Sequence, residues 1–161
     1  MTTTHTTEQL FIVALQDLAD AELAWGERGA KLRDGSGERV AAFLDGDLAR
    51  SAAQRERIIG LIEGLGATVA GDANIWLRAI IDDAERDIAT TASGPLRDTA
   101  LIGAFRKGKQ AERASYETAI ALAARIGNAD AAETLCQSRD EEAAADEALA
   151  GLLGETVGRL R

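Results

Sequence analysis

Apolar residues recur along this chain at helical spacing, in blocks separated by glycines. From Phe11, alternate steps of four and three reach Leu15, Leu18, Glu22, Trp25, Gly29 and Leu32, the stripe of a helix with one buried face. A first helix is predicted from about Thr7 to Arg33, with Thr6 and Gln9 spaced as a capping box. Asp34 to Gly37 reads as a turn in which glycine supplies left-handed backbone. A second helix is predicted over 38–65, stopped at Gly66. A shorter one follows over 73–91, with Asp72 as its N-cap and Leu77, Ile80, Ala84 and Ile88 on one face. Ser93 to Pro95 breaks the chain, and proline suits the first turn of the helix predicted over 96–126. Gly127 stops that helix and Asn128 caps the last, over 129–160.

The pattern predicts an all-α fold. Four helices of roughly 27 to 32 residues would each be on the order of 40 to 48 Å long. Short turns join the first to the second and the third long helix to the fourth, so each pair must form an antiparallel hairpin. A connection of about 30 residues, carrying its own helix, can travel the height of a bundle. Two hairpins and one long crossover define the ferritin-like four-helix bundle; a plain five-helix bundle without a crossover is the alternative.

The four long stripes share one irregularity. Helix one carries Glu22 in its middle. Helix two steps through Phe43, Asp47, Arg50, Gln54, Ile58, Leu61 and Leu65. The third long helix steps through Leu101, Phe105, Gly108, Glu112, Ser115, Ala119, Leu122 and Ile126, with Lys109 beside Glu112. The last steps through Leu135, Arg139, Glu142, Asp146, Leu149 and Leu153. In antiparallel hairpins of similar length, midpoints lie at one level. The expectation is a single internal polar layer of Glu22, Asp47, Arg50, Lys109, Glu112, Glu142 and Asp146, with apolar layers above and below.

Composition narrows the uses of such a layer. The 161 residues suit one domain, 1–161, with residues 1–6 as a flexible tail. A formal net charge of −9 disfavours nucleic acid and anionic membranes, since the summed field repels phosphate. No run of roughly 20 apolar residues could span a bilayer. The opening residues lack the basic-then-apolar layout of a signal peptide, so a cytoplasmic protein is expected. Cys136 is the only cysteine, which rules out an internal disulfide. His5, the only histidine, lies in the polar tail, so no nucleophile–histidine set is available. The glycines of 64–71 follow a helix and no strand, unlike a dinucleotide-binding loop.

Clustered carboxylates must protonate or find positive charge. One possibility is iron or manganese held by Glu22, Asp47, Glu112, Glu142 and Asp146, acting on peroxide or dioxygen. The other is a network closed by Arg50 and Lys109, with no cofactor, in which a protonated acid or some water completes the balance. Tyr116 stands where it could hydrogen-bond a carboxylate.

Residues 15–22 (LQDLADAE), 98–128 and 131–149 (AAETLCQSRDEEAAADEAL) resemble the YciE/YciF-like ferritin-superfamily proteins of bacteria. The resemblance covers most of the chain and implies a stress-associated, commonly dimeric bundle with a carboxylate-bridged metal site. Glu22, Glu142, Asp146 and Tyr116 fit its pattern. The family's His-Leu-x-Glu-Thr stretch is here Asp47, Leu48, Ala49, Arg50 and Ser51. Its Glu-His-x-Glu stretch is here Lys109, Gln110, Ala111 and Glu112. Two ligand positions thus carry cations, which implies a degenerate metal site and favours an internal ionic network over an oxidase.

Overall fold

The structure, a computed structural model, describes residues 3–160. Among them five helices follow in order: α1 (Thr7–Asp34), α2 (Glu38–Gly64), α3 (Ile75–Thr90), α4 (Pro95–Arg125) and α5 (Ala129–Val157). The predicted tail, 1–6, begins with two residues that lie outside those described.

Local chemistry sets the ends of these helices. Thr6 Oγ1 accepts from Gln9 N–H at 3.1 Å while Gln9 Oε1 accepts from Thr6 N–H at 3.2 Å, the reciprocal pair expected from their spacing. Pro95 opens α4, and Asn128 Oδ1 accepts from Ala131 N–H at 3.0 Å to cap α5. Gly66 and Gly127 turn the chain with φ of 68° and 75° after α2 and α4, where a side chain would be strained.

Two local expectations need correction. The turn between α1 and α2 contains no left-handed glycine: Gly35 has φ −82° and Gly37 φ −71°. These glycines permit close approach instead. A Cβ on Gly37 would collide with the Asp98 carboxylate, which accepts the Gly37 N–H at 2.8 Å. The short helix starts at Ile75, and its cap is the buried Asn74, whose Oδ1 accepts from Leu77 N–H at 2.8 Å; Asp72 caps nothing. Its buried face is Leu77, Ile81 and Ala84, with Ile80 and Ile88 half-buried beside it.

The hairpins α1–α2 and α4–α5 form the bundle, and α3 lies across the α1–α4 side. Asp17 and Asp20, on the outer face of α1, fasten this crossover. Asp17 accepts from Asn74 Nδ2 at 2.8 Å and Trp76 Nε1 at 3.1 Å; Asp20 pairs with Arg78 at 2.9 Å. Trp76 is therefore a half-buried tether between crossover and bundle. The buried apolar residues fall into two clusters. One gathers Trp25, Leu32, Leu44, Leu77, Leu101, Phe105 and Leu149. The other gathers Phe11, Leu15, Leu18, Ile58, Ile62, Tyr116 and Leu135. Between them lie the polar residues of the bundle's middle.

Candidate functional site

The centre is built on Lys109. Its side chain rises from α4 beside Trp25, with Nζ 5.3 Å from the indole centroid. Phe105 packs edge-on against that indole, centroids 5.5 Å apart, so an aromatic wall borders the cation. Nζ lies 3.0 Å from Asp47 Oδ2 of α2, 3.0 Å from Glu112 Oε2 of α4 and 2.9 Å from Glu142 Oε2 of α5. Lys109, Asp47, Glu112 and Glu142 are each no more than 1% exposed.

Glu22 completes the acids from α1. Tyr116 Oη donates to its Oε1 at 2.8 Å, and Ser51 Oγ lies 2.5 Å from its Oε2 and 3.3 Å from its main-chain oxygen. Every long helix thus contributes a buried carboxyl group to one layer. The neighbouring donors are also internal: Trp25 Nε1 donates to Asp47 Oδ2 at 2.9 Å, and Gln54 Nε2 to Glu142 Oε1 at 2.8 Å.

Two expected members stand elsewhere. Arg50 is 37% exposed and reaches the layer only through its Nη1, 3.1 Å from Asp47 Oδ1. Asp146 is not in the layer at all. It is the partner of Arg106 Nε at 2.7 Å and Gln110 Nε2 at 3.2 Å on the outside of the α4–α5 pair. The buried stripe of α5 passes through Ala131, Leu135, Ser138, Glu142, Ala145 and Leu149, so Arg139 and Asp146 each lie one residue off it. The stripe of α2 likewise passes through Val40, Leu44, Asp47, Ser51, Gln54, Ile58 and Ile62. Neighbouring positions differ by about 100° around a helix, which is enough to turn Asp146 and Arg50 from the centre to its edge. In α4 the stripe runs from Glu112 to Tyr116, not Ser115. The sequence pattern assigns Ser51 and Ser138 no place in the layer. Their signal was available: each lies four residues from a central acid, Asp47 and Glu142 respectively, on the same helical face.

Charge decides the protonation of the layer. Four buried carboxyl groups face one buried ammonium and one half-exposed guanidinium, so two protons bring it to balance. Burial pushes Glu112 well above the usual carboxylate range, against the pull of Lys109. Burial likewise raises Glu22 to about 7, again opposed by Lys109 and reinforced by the Glu142 charge. Burial also works to raise Glu142, but Lys109 and hydrogen bonds from Glu112, Lys109 and Gln54 outweigh it and hold this group low. Desolvation would lower Lys109, yet the charges of Glu112, Glu142, Asp47 and Glu22 hold it well above the ordinary lysine range. The arrangement is an ammonium in a carboxylate cage, with Glu112 and Glu22 as the groups that keep protons.

This is an all-helical, ferritin-like bundle with a carboxylate-rich centre. A family model described as Domain of unknown function (DUF892) matches residues 6–160, and the chain belongs to that family. It is 31% identical over 156 residues to Protein YciF of Escherichia coli strain K12, covering 96% of this chain and 94% of that one. The crystal structure of the E. coli stress protein YciF superposes with a TM-score of 0.92 at 30% identity, covering 98% of this chain and all of the other. YcfI from Rhodopseudomonas palustris shares the fold, with a TM-score of 0.86 at 24% identity over 91% and 94% of the two chains. No helix among the described residues is long and apolar enough to cross a membrane.

Proposed function

We propose that this chain is a ferritin-like bundle whose di-metal centre has been replaced by an internal salt-bridge network, and that it serves a structural or interaction role. The observation that carries this reading is the position of Lys109 Nζ, within 3.0 Å of oxygens from Asp47, Glu112 and Glu142. A metal ion bound by those oxygens would lie close to the ammonium. At about 4 Å and an effective dielectric of 20, a divalent ion and a monovalent cation repel by roughly 8 kcal/mol. The remaining donors point the same way. Both oxygens of Glu22 face hydroxyl groups, and Glu142 Oε1 faces an amide. Among the described residues no group of three or more histidine, cysteine, aspartate or glutamate side chains is arranged to hold a metal ion. The residues present therefore do not fit the iron or manganese that the fold family implies.

A role in contact is supported by the surface. Leu10 and Val13 of α1, each 46% exposed, line a groove of about 350 Å³ with Leu122 of α4 and Ala73 of the crossover. With the description of YciF as a stress protein, we read the chain as a stress-associated, cytoplasmic protein that works as a homodimer through this face. Elemental analysis after anaerobic loading with ferrous iron or manganese tests the reading. The expected result is metal well below one equivalent per chain after desalting, with no oxygen-dependent optical band. Stoichiometric retained metal and such a band would establish the carboxylate-ligated alternative.

A further inference from the structure

Gln54 Oε1, Ser138 Oγ and Glu112 Oε1 are buried and meet no hydrogen-bond partner among the described residues. Their residues are at most 1% exposed. A buried polar atom left unpaired forfeits its hydration with nothing in return, so native proteins hold few of them. These three are gathered in one place. Gln54 Nε2 lies 3.4 Å from the Ser138 carbonyl oxygen and 2.8 Å from Glu142 Oε1. The Glu112 and Glu142 carboxyl groups lie 3.0 and 2.9 Å from the same Lys109 Nζ. Arg57 Nε, one helical turn along α2 from Gln54, is likewise without a partner. Arg57 pairs with the half-buried Glu141 at 2.5 Å, and Gln54 Nε2 donates to the same carboxylate at 3.1 Å.

The chemistry of these atoms is specific. The Gln54 amide cannot be reversed, because its nitrogen faces three oxygen acceptors from Ser138, Glu141 and Glu142; its Oε1 is therefore an acceptor only. Arg57 Nε is a donor only, and Ser138 Oγ is both. A cation cannot satisfy the guanidinium, and an anion cannot satisfy the Gln54 amide oxygen. Water satisfies all of them, since a buried water makes about three hydrogen bonds in either sense. The outer end of this cluster meets solvent: the Arg57 and Glu141 side chains are 20% and 25% exposed.

We propose that the seam between α2 and α5 holds a short file of water molecules, running from Arg57 and Glu141 inward to Glu112 and held midway by Gln54 Oε1 and Ser138 Oγ. The file joins the buried carboxyl groups to solvent without opening the bundle. Its existence does not depend on whether metal binds, so its failure and that of the functional reading are separable. Oxygen-17 magnetic relaxation dispersion on the intact protein counts long-lived internal water, and a crystal structure locates it. The wild-type protein is expected to show such water, Ser138→Val at least one molecule fewer, and the density a water within about 3.2 Å of both Gln54 Oε1 and Ser138 Oγ. Equal counts in the two proteins would overturn the proposal. So would density in which protein groups alone satisfy Gln54 and Ser138. Should Ser138→Val fail to fold, the wild-type density decides.

Discussion

Glu22 occupies a position where its helix otherwise places leucine and tryptophan, and two hydroxyl groups reach its oxygens. Its raised pKa has a definite consequence. The unfolded chain loses this proton near 4.5, whereas the folded protein keeps it to about 7. Stability from this group is complete below the lower value and is lost as pH rises through the upper one, by on the order of 3 kcal/mol. Urea midpoints are therefore expected to fall between about pH 5 and about pH 8, and Glu22→Gln to flatten that fall; an unchanged slope in the variant would contradict the assignment. Lys109→Met tests the other partner. Removing it leaves buried carboxyl groups without their cation, and a loss of about 3–5 kcal/mol is expected in denaturant melts near neutral pH. The loss should shrink in mild acid, where the acids protonate. A variant as stable as wild type at both pH values would show that the cage needs no cation. The sequence made Glu22, Glu112, Glu142 and Asp47 legible because each interrupts an apolar stripe, and Lys109 because it flanks Glu112 on the same helical face. Asp146 and Arg50 are not legible in this way, because steps of three and of four are both helical and the pattern alone does not choose Ala145 over Asp146 or Ser51 over Arg50. Only packing settles such a phase.

At the scale of elements, the long helices were readable from periodicity and caps, and α1 required no change to its stripe. The crossover was less legible, because its position depends on contacts far apart in sequence. Asn74 illustrates this. Its main-chain N–H donates to Asp20 Oδ2 at 2.6 Å, its Nδ2 donates to Asp17 Oδ1 at 2.8 Å, and its Oδ1 caps α3. Nothing in its immediate sequence announces those partners. Asn74→Ala is expected to cost about 1–2 kcal/mol, measured by thermal or chemical denaturation. Asn74→Asp keeps the capping oxygen but sets a second carboxylate against Asp17, so it should also destabilise the protein. Full stability in Asn74→Asp would mean that the cap alone matters and the Asp17 contact contributes nothing.

The whole molecule is two apolar clusters separated by a charged layer, with the crossover laid over one side. The four acids of that layer are balanced from within, by Lys109, Arg50 and retained protons, inside a chain whose net charge is −9. Light scattering is expected to give the mass of two chains, through a face that includes the Leu10 and Val13 groove; a monomer at micromolar concentration would contradict the proposed dimer. The replacement of metal by an ammonium is tested most directly in crystals of protein loaded with iron or manganese under anaerobic conditions. An anomalous difference map is expected to be flat at the bundle centre, with continuous side-chain density for Lys109 ending among Asp47, Glu112 and Glu142. A strong anomalous peak bound by Glu22, Asp47, Glu112 and Glu142, with Lys109 swung away, would contradict the account.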